Sequence, residues 1–222
     1  MTAGLQRFHH IAVEGPIGVG KSSLALRLAR HLGAELMLEQ PAENPFLARF
    51  YADMPGYAFQ TQLHFLFQRV RQMQALAQPS VFATQVVSDF VFAKDAIFAS
   101  LNLSDDEHRL YQQMYLNLAP QVREPDLVIW LQAPAPTLVQ RIRRRGIAME
   151  QGIETGYLER LADAYAAFFH AYDGAPVFGV ATERFNPAEN EADFALLVER
   201  LGAFDGRRGY FDVEADSPST TV

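Results

Sequence analysis

The stretch EGPIGVGKSS, Glu14 to Ser23, decides how this chain is read. It follows a short apolar run, Ile11-Ala12-Val13. Gly15 is followed by four residues, Gly18 among them, and then by Gly20-Lys21-Ser22. That spacing wraps a phosphate chain, because glycines let backbone N–H groups turn inward around an anion. Lys21 adds a charge beside the outer phosphates, and Ser22 offers a hydroxyl to Mg²⁺. The helix that follows points its positive end at the same anion. Gly15, Gly18, Gly20, Lys21, Ser22 and Ser23 are therefore the expected ligands of a nucleoside triphosphate.

Working outward, residues 8–13 read as a buried strand ended by Gly15-Pro16. Lys21 to Leu32 reads as a helix with Leu24, Leu28 and Leu32 on one face and Gly33 as its stop. Further strands are expected at 34–38, 81–88, 127–131 and 177–180. Helices are expected at 45–52, 57–78, 90–100, 105–118, 136–145, 155–172 and 189–204. Ser104-Asp105-Asp106-Glu107 has the pattern of a capping box. Strands alternating with helices predict an α/β fold with five parallel strands covered on both faces. The chain reads as one domain over 1–204. The Gly-, Ser-, Asp- and Pro-rich residues 205–222 read as a flexible tail.

Composition narrows the class. The chain has 222 residues, 49% of them hydrophobic, a net charge of −7 and no cysteine. That excludes a disulfide frame and a thiolate zinc site, and it argues against a nucleic-acid partner. No secretion signal or membrane span is legible, which predicts a cytoplasmic protein. Six scattered histidines read as structural or surface residues. Only Lys21 and Lys94 are lysines, against 17 arginines. A guanine-reading Asn-Lys-x-Asp stretch is absent, and 222 residues leave little room for a motor or a transporter. A small kinase remains.

In an open parallel sheet, ligands gather beyond the carboxyl ends of the strands. Glu39 follows the second strand there, where it can take a proton from an acceptor hydroxyl. Asp89 ends the third strand, where it can hold a metal-bound water beside Ser22. Residues 141–145 carry an arginine run near the end of a helix.

The stretches IAVEGPIGVGKSSLA, LEQPAENPFL and FYADMPGYAFQTQLHFLFQRVRQ, in that order, resemble the deoxyribonucleoside kinase family, especially its bacterial deoxyadenosine and deoxyguanosine kinases. The likeness runs from about residue 9 to 201. It implies a P-loop kinase fold with an arginine-rich lid, ATP as donor, Mg²⁺, a purine deoxynucleoside as acceptor, and a homodimer through the long helices. It implies Glu39 as the base at the sugar 5′-hydroxyl, and Tyr51 and Glu150 as the pair at the 3′-hydroxyl. Gln62 and Arg69 would face the nucleobase, with Asp95 partnering the arginine. Arg141 and Arg145 would close over the phosphates.

Two residues depart from the family pattern. Phe90 stands where an arginine is usual after the third strand, and Ile147 stands where the lid often has one. Lys94, one helical turn past Phe90, either supplies the missing charge or is a solvated residue. Two other readings stay open: a nucleoside monophosphate kinase of the thymidylate type, for which Arg49 is available, and a non-catalytic nucleotide sensor.

Overall fold

The computed structural model describes residues 4–76, 85–119 and 122–213. Six parallel strands form one sheet in the order β2-β3-β1-β4-β5-β6. They are β1 His10–Glu14, β2 Glu35–Met37, β3 Val86–Ser88, β4 Leu127–Gln132, β5 Val177–Ala181 and β6 Arg208–Phe211. The central strand β1 sets Ile11 beside both Val87 of β3 and Leu127 of β4. Its backbone is pinned at the start, where the N–H groups of His9 and His10 donate to Asp126 at 2.7 and 2.9 Å.

Eight helices occur among the described residues: α1 Lys21–Leu32, α2 Leu47–Ala52, α3 Met54–Leu76, α4 Asp95–Asn102, α5 Asp105–Leu118, α6 Ala135–Arg145, α7 Thr155–Ala171 and α8 Glu191–Ala203. The sheet is buried on both sides, as parallel sheets are. Ile11, Val13 and Ile129 pack with Leu24 and Leu28 of α1 and Leu197 and Leu201 of α8. Ala12 and Val128, facing the other way, pack with Leu161, Tyr165 and Phe169 of α7. Helix α1 has the bounds expected of it, and Gly33 closes it in the left-handed conformation, its N–H donating to Ala29 O. The capping box before α5 is present, with Ser104 and Glu107 each bonding back to the other.

Some expectations need correction. The sheet has six strands rather than five, and the sixth lies in the segment read as a loose tail. Phe211 explains it: this ring is buried and meets Phe185 edge-on with centroids 5.0 Å apart. Arg208 adds a bond from its guanidinium to Phe169 O at 2.5 Å. One buried aromatic, beside the exposed Tyr210, is enough to hold a strand when a neighbouring edge is waiting for it. The segment after β3 is not one helix. It opens with a 3-10 turn, Phe92–Lys94, before α4 begins. The short helix expected from Pro45 starts at Leu47. Residues 77–78 and 81–84, expected in the long helix and third strand, lie outside the described residues, as do 214–222.

Candidate active site

The polar groups collect where the strands end. Gly15 opens the loop after β1 with φ +150°, and a Cβ there would lie 2.4 Å from Leu131 O. Gly18 has φ +84°, and a Cβ would lie 2.8 Å from Ile142 on α6. Only glycine satisfies both demands. Gly20 caps α1 without a side chain, which leaves the first-turn N–H groups to an anion. The Lys21 ammonium folds over the loop and donates to Gly15 O at 2.8 Å and Pro16 O at 3.1 Å. Burial lowers its pKa, while Glu14, Glu39 and Asp89 pull the other way.

Two cavities meet at this loop. The first, of about 260 Å³, is lined by Gly18, Lys21, Ser22, Ser23, Arg141 and Arg144, among others. The second, of about 320 Å³, takes in Glu39, Tyr51, Gln62, Arg69, Lys94 and Glu150. Gly18, Lys21, Ser22 and Arg145 line both. A ligand in either cavity therefore faces the other across Lys21 and Ser22.

Asp89 ties the loop to the second cavity. One carboxylate oxygen accepts from the Ser22 hydroxyl at 2.5 Å, and the other accepts from the backbone N–H of Glu39 at 2.7 Å. Glu39 is held as an anion. Its Oε1 accepts from the Arg69 guanidinium, the Nε bond being 2.8 Å, and its Oε2 accepts from Lys94 Nζ at 3.0 Å. Burial pushes this carboxyl up, but Arg69 and Lys94 together outweigh it and leave the pKa at about 2.

Gln62 and Arg69 are buried rather than on a solvated helix face. Both reach Asp95: Gln62 Nε2 donates to Oδ1 at 3.1 Å, and Arg69 forms an ion pair with the same oxygen. Asp95 sits behind the cavity wall rather than on it, with Oδ2 lacking a partner. The structure adds the contact from Arg69 to Glu39, so one guanidinium joins Asp95 behind the wall to Glu39 on it. Tyr51 and Glu150 line the same cavity. Burial first, and then the charge of Glu150, hold the Tyr51 phenol neutral by raising its pKa.

The lid arginines are engaged rather than poised free. Arg141 donates to Val19 O at 3.2 Å and Thr182 Oγ1 at 3.0 Å, stitching the loop to the end of β5. Arg145 pairs with Glu150. Of the two departures, Phe90 is fully buried and Ile147 lines the second cavity. Lys94 is not solvated; it is 2% exposed.

Sequence reasoning passed over Glu14 and Arg144. Glu14 is fully buried at the end of β1, and an acid inside an otherwise apolar strand end was the available signal. Arg144 pairs with Glu189 at 2.7 Å across the first cavity. It stands inside the arginine run at 141–145, but the family resemblance implies no role for it. Of the histidines, His10 bonds Ser88 Oγ at 2.8 Å, and burial lowers its pKa to about 4.

The deoxynucleoside kinase profile matches residues 11–203. This chain belongs to the deoxynucleoside kinase family. A deoxyguanosine kinase of Bacillus subtilis is 36% identical over 196 residues, which cover 86% of this chain and 95% of the relative. A deoxyadenosine kinase of Dictyostelium discoideum is 34% identical, covering 72% and 66%. Among solved structures, a deoxyadenosine kinase from M. mycoides with bound dATP superposes with a TM-score of 0.77. It is 26% identical, and the match covers 88% of this chain and all of that one. The kinase is thus an enzyme that phosphorylates deoxynucleosides with ATP.

Proposed function

We propose that the kinase moves the γ-phosphate of Mg·ATP to the 5′-hydroxyl of a purine deoxynucleoside, serving nucleotide salvage in the cytoplasm. The observation that carries this reading is the seam: a phosphate loop and an ion-paired carboxylate, Glu39, open onto adjoining cavities that share Lys21 and Ser22. The purine preference is supported by relatives described as deoxyguanosine and deoxyadenosine kinases. No helix among the described residues is long and apolar enough to cross a membrane.

Lys21 and the N–H groups of the loop bind the donor phosphates, and Arg141 and Arg145 close the far side. The Ser22 hydroxyl and the Asp89 carboxylate, 2.5 Å apart, form an oxygen-only pair of the kind that suits Mg²⁺. These two would hold the ion, which would supply charge that neutralises the donor phosphates. Tyr51 and Glu150 grip the 3′-hydroxyl, while Gln62 and Arg69 meet the base. Glu39 orients the 5′-hydroxyl and accepts its proton.

Arg69 and Lys94 hold the Glu39 carboxyl well below the usual carboxylate range, so it meets the hydroxyl ionised and able to accept its proton. Exposed Phe67 on α3 and exposed Leu110 and Leu116 on α5 support a dimer through the long helices.

The test is a coupled ADP-release assay with deoxynucleosides, deoxynucleoside monophosphates or no acceptor. The expected result is turnover with deoxyguanosine or deoxyadenosine that exceeds both other arms. ADP release with monophosphates alone, or only without an acceptor, would overturn the reading.

A further inference from the structure

Both lysines of this arginine-rich chain line the second cavity. Lys21 belongs to the phosphate loop. Lys94 comes from the turn before α4, and its ammonium is 3.0 Å from Glu39 Oε2 and 3.8 Å from Glu14 Oε2. Every other basic position is an arginine, so the choice of lysine at these two calls for a reason. A guanidinium is a rigid planar fork that locks onto a carboxylate. An ammonium is a compact point charge on a flexible stem and can turn from one acceptor to another.

Glu14 shows how the second ammonium is held. It lines neither cavity, and both of its oxygens are committed. Oε1 accepts from the Gly15 N–H at 3.0 Å and from the Tyr165 hydroxyl at 2.8 Å. Oε2 accepts from the Val91 N–H at 2.8 Å and faces Lys94. One buried carboxylate thus joins the start of the phosphate loop, helix α7, the segment after β3 and Lys94. A buried anion must be paired and hydrogen-bonded to persist, and Glu14 meets that condition without any help from substrate.

We propose that Lys94 is a second catalytic cation, on the acceptor side, which meets the phosphoryl oxygens during transfer, and that Glu14, braced by Tyr165, is the positioning residue that aims it. The proposal rests on the kinase reading above. In the step, the bond from the γ-phosphorus to the bridging oxygen breaks, and its electrons leave on ADP. A bond forms from the 5′-oxygen to phosphorus, and the hydroxyl proton passes to Glu39. As Glu39 gains the proton it loses the charge that held the ammonium, and Lys94 turns to the oxygens that carry the phosphoryl charge. Discharge of Glu39 and stabilisation of the product phosphate are thereby linked through one side chain.

The kinetic test compares Lys94→Met, Lys94→Ala and Glu14→Gln with the parent in the ADP-release assay. Lys94→Met is expected to lower kcat about 10²- to 10³-fold, the usual share of one transition-state donor, with both KM values held within about threefold. The loss is expected to persist at about pH 9, and ethylammonium is expected to restore part of the Lys94→Ala rate saturably. Glu14→Gln is expected to cost about tenfold in the parent and little in Lys94→Met, since the two act as a unit. A Lys94→Met variant with the parent rate, or one recovered simply by raising the pH, would make Lys94 only the counter-ion of Glu39 and overturn the proposal.

Should that variant not fold, the parent itself decides, in a crystal of its complex with ADP, aluminium fluoride and deoxyguanosine. Lys94 Nζ is expected about 3 Å from a fluoride; an ammonium that still bonds only Glu39 overturns the proposal. A parent without nucleoside-dependent turnover would instead sink the kinase reading, so the two failures are distinct.

Discussion

The two cavities share four residues but are built on opposite principles. The first is shaped by backbone. Gly15, Gly18 and Gly20 shape a loop, α1 supplies its N-terminus, and the surrounding arginines are partly exposed and tied to carbonyls or surface acids. At the second cavity nearly everything is a side chain. Glu39, Arg69 and the consecutive Lys94 and Asp95 arrive from three segments, with Arg69 pairing both acids and Lys94 pairing Glu39. The first design tolerates changes in its rim and none in its loop. The second has no rim: each charge is partner to the next, so removing one leaves another uncompensated in the interior.

The sharpest way to break this contrast is Glu39→Gln. It should lower kcat about 10²- to 10⁴-fold, the share of a general base, while ATP affinity measured by calorimetry stays within about threefold. Weakened ATP binding of equal size would mean that the two cavities are not separable. The opposite cut is Gly18→Ala. A Cβ there is strained and would lie 2.8 Å from Ile142, so the loop must shift; ATP binding should weaken about fivefold or more, with little change in deoxynucleoside affinity.

A smaller effect is expected from the substrate side. A 2′,3′-dideoxynucleoside should lose about tenfold in kcat/KM, because it leaves Tyr51 and Glu150 without their partner; equal efficiency would remove them from the sugar site. The finest test concerns pH. Glu39 is ionised well below neutrality because Arg69 and Lys94 outweigh its burial. In Arg69→Met the burial effect gains ground and the pKa rises. The base must be ionised to act, so the activity of the variant should fall as pH drops through that raised value. The ratio of variant to parent kcat/KM should therefore decline from about pH 8 to 5. A ratio constant with pH would show that Arg69 does not tune the base.

The same contrast explains what the sequence made legible. The phosphate loop is contiguous, so its residues, helix and preceding strand could be read from spacing alone. Glu39 and Asp89 were placed because strand ends point to one side of a parallel sheet. Gln62, Arg69, Tyr51 and Glu150 needed the family resemblance, because spacing on one helix does not say which face is covered. The link from Arg69 to Glu39 joins residues 30 apart, and no local pattern carries that. Lys94 was ambiguous for the same reason: its burial depends on Glu14 at the end of another element. The sixth strand was missed because its stabilising contact, Phe211 against Phe185, is invisible to composition.

That sixth strand matters for handling the protein. β6 is hydrogen-bonded to β5 along Val177 to Val180, a stretch that is apolar apart from Gly179. A chain cut after Phe204 would strip that partner away and present an unpaired, hydrophobic strand to its neighbours, which is a template for sheet-to-sheet aggregation. Truncations meant to tidy the terminus should therefore stop beyond Val213, and soluble yield is the first property that a shorter version would lose.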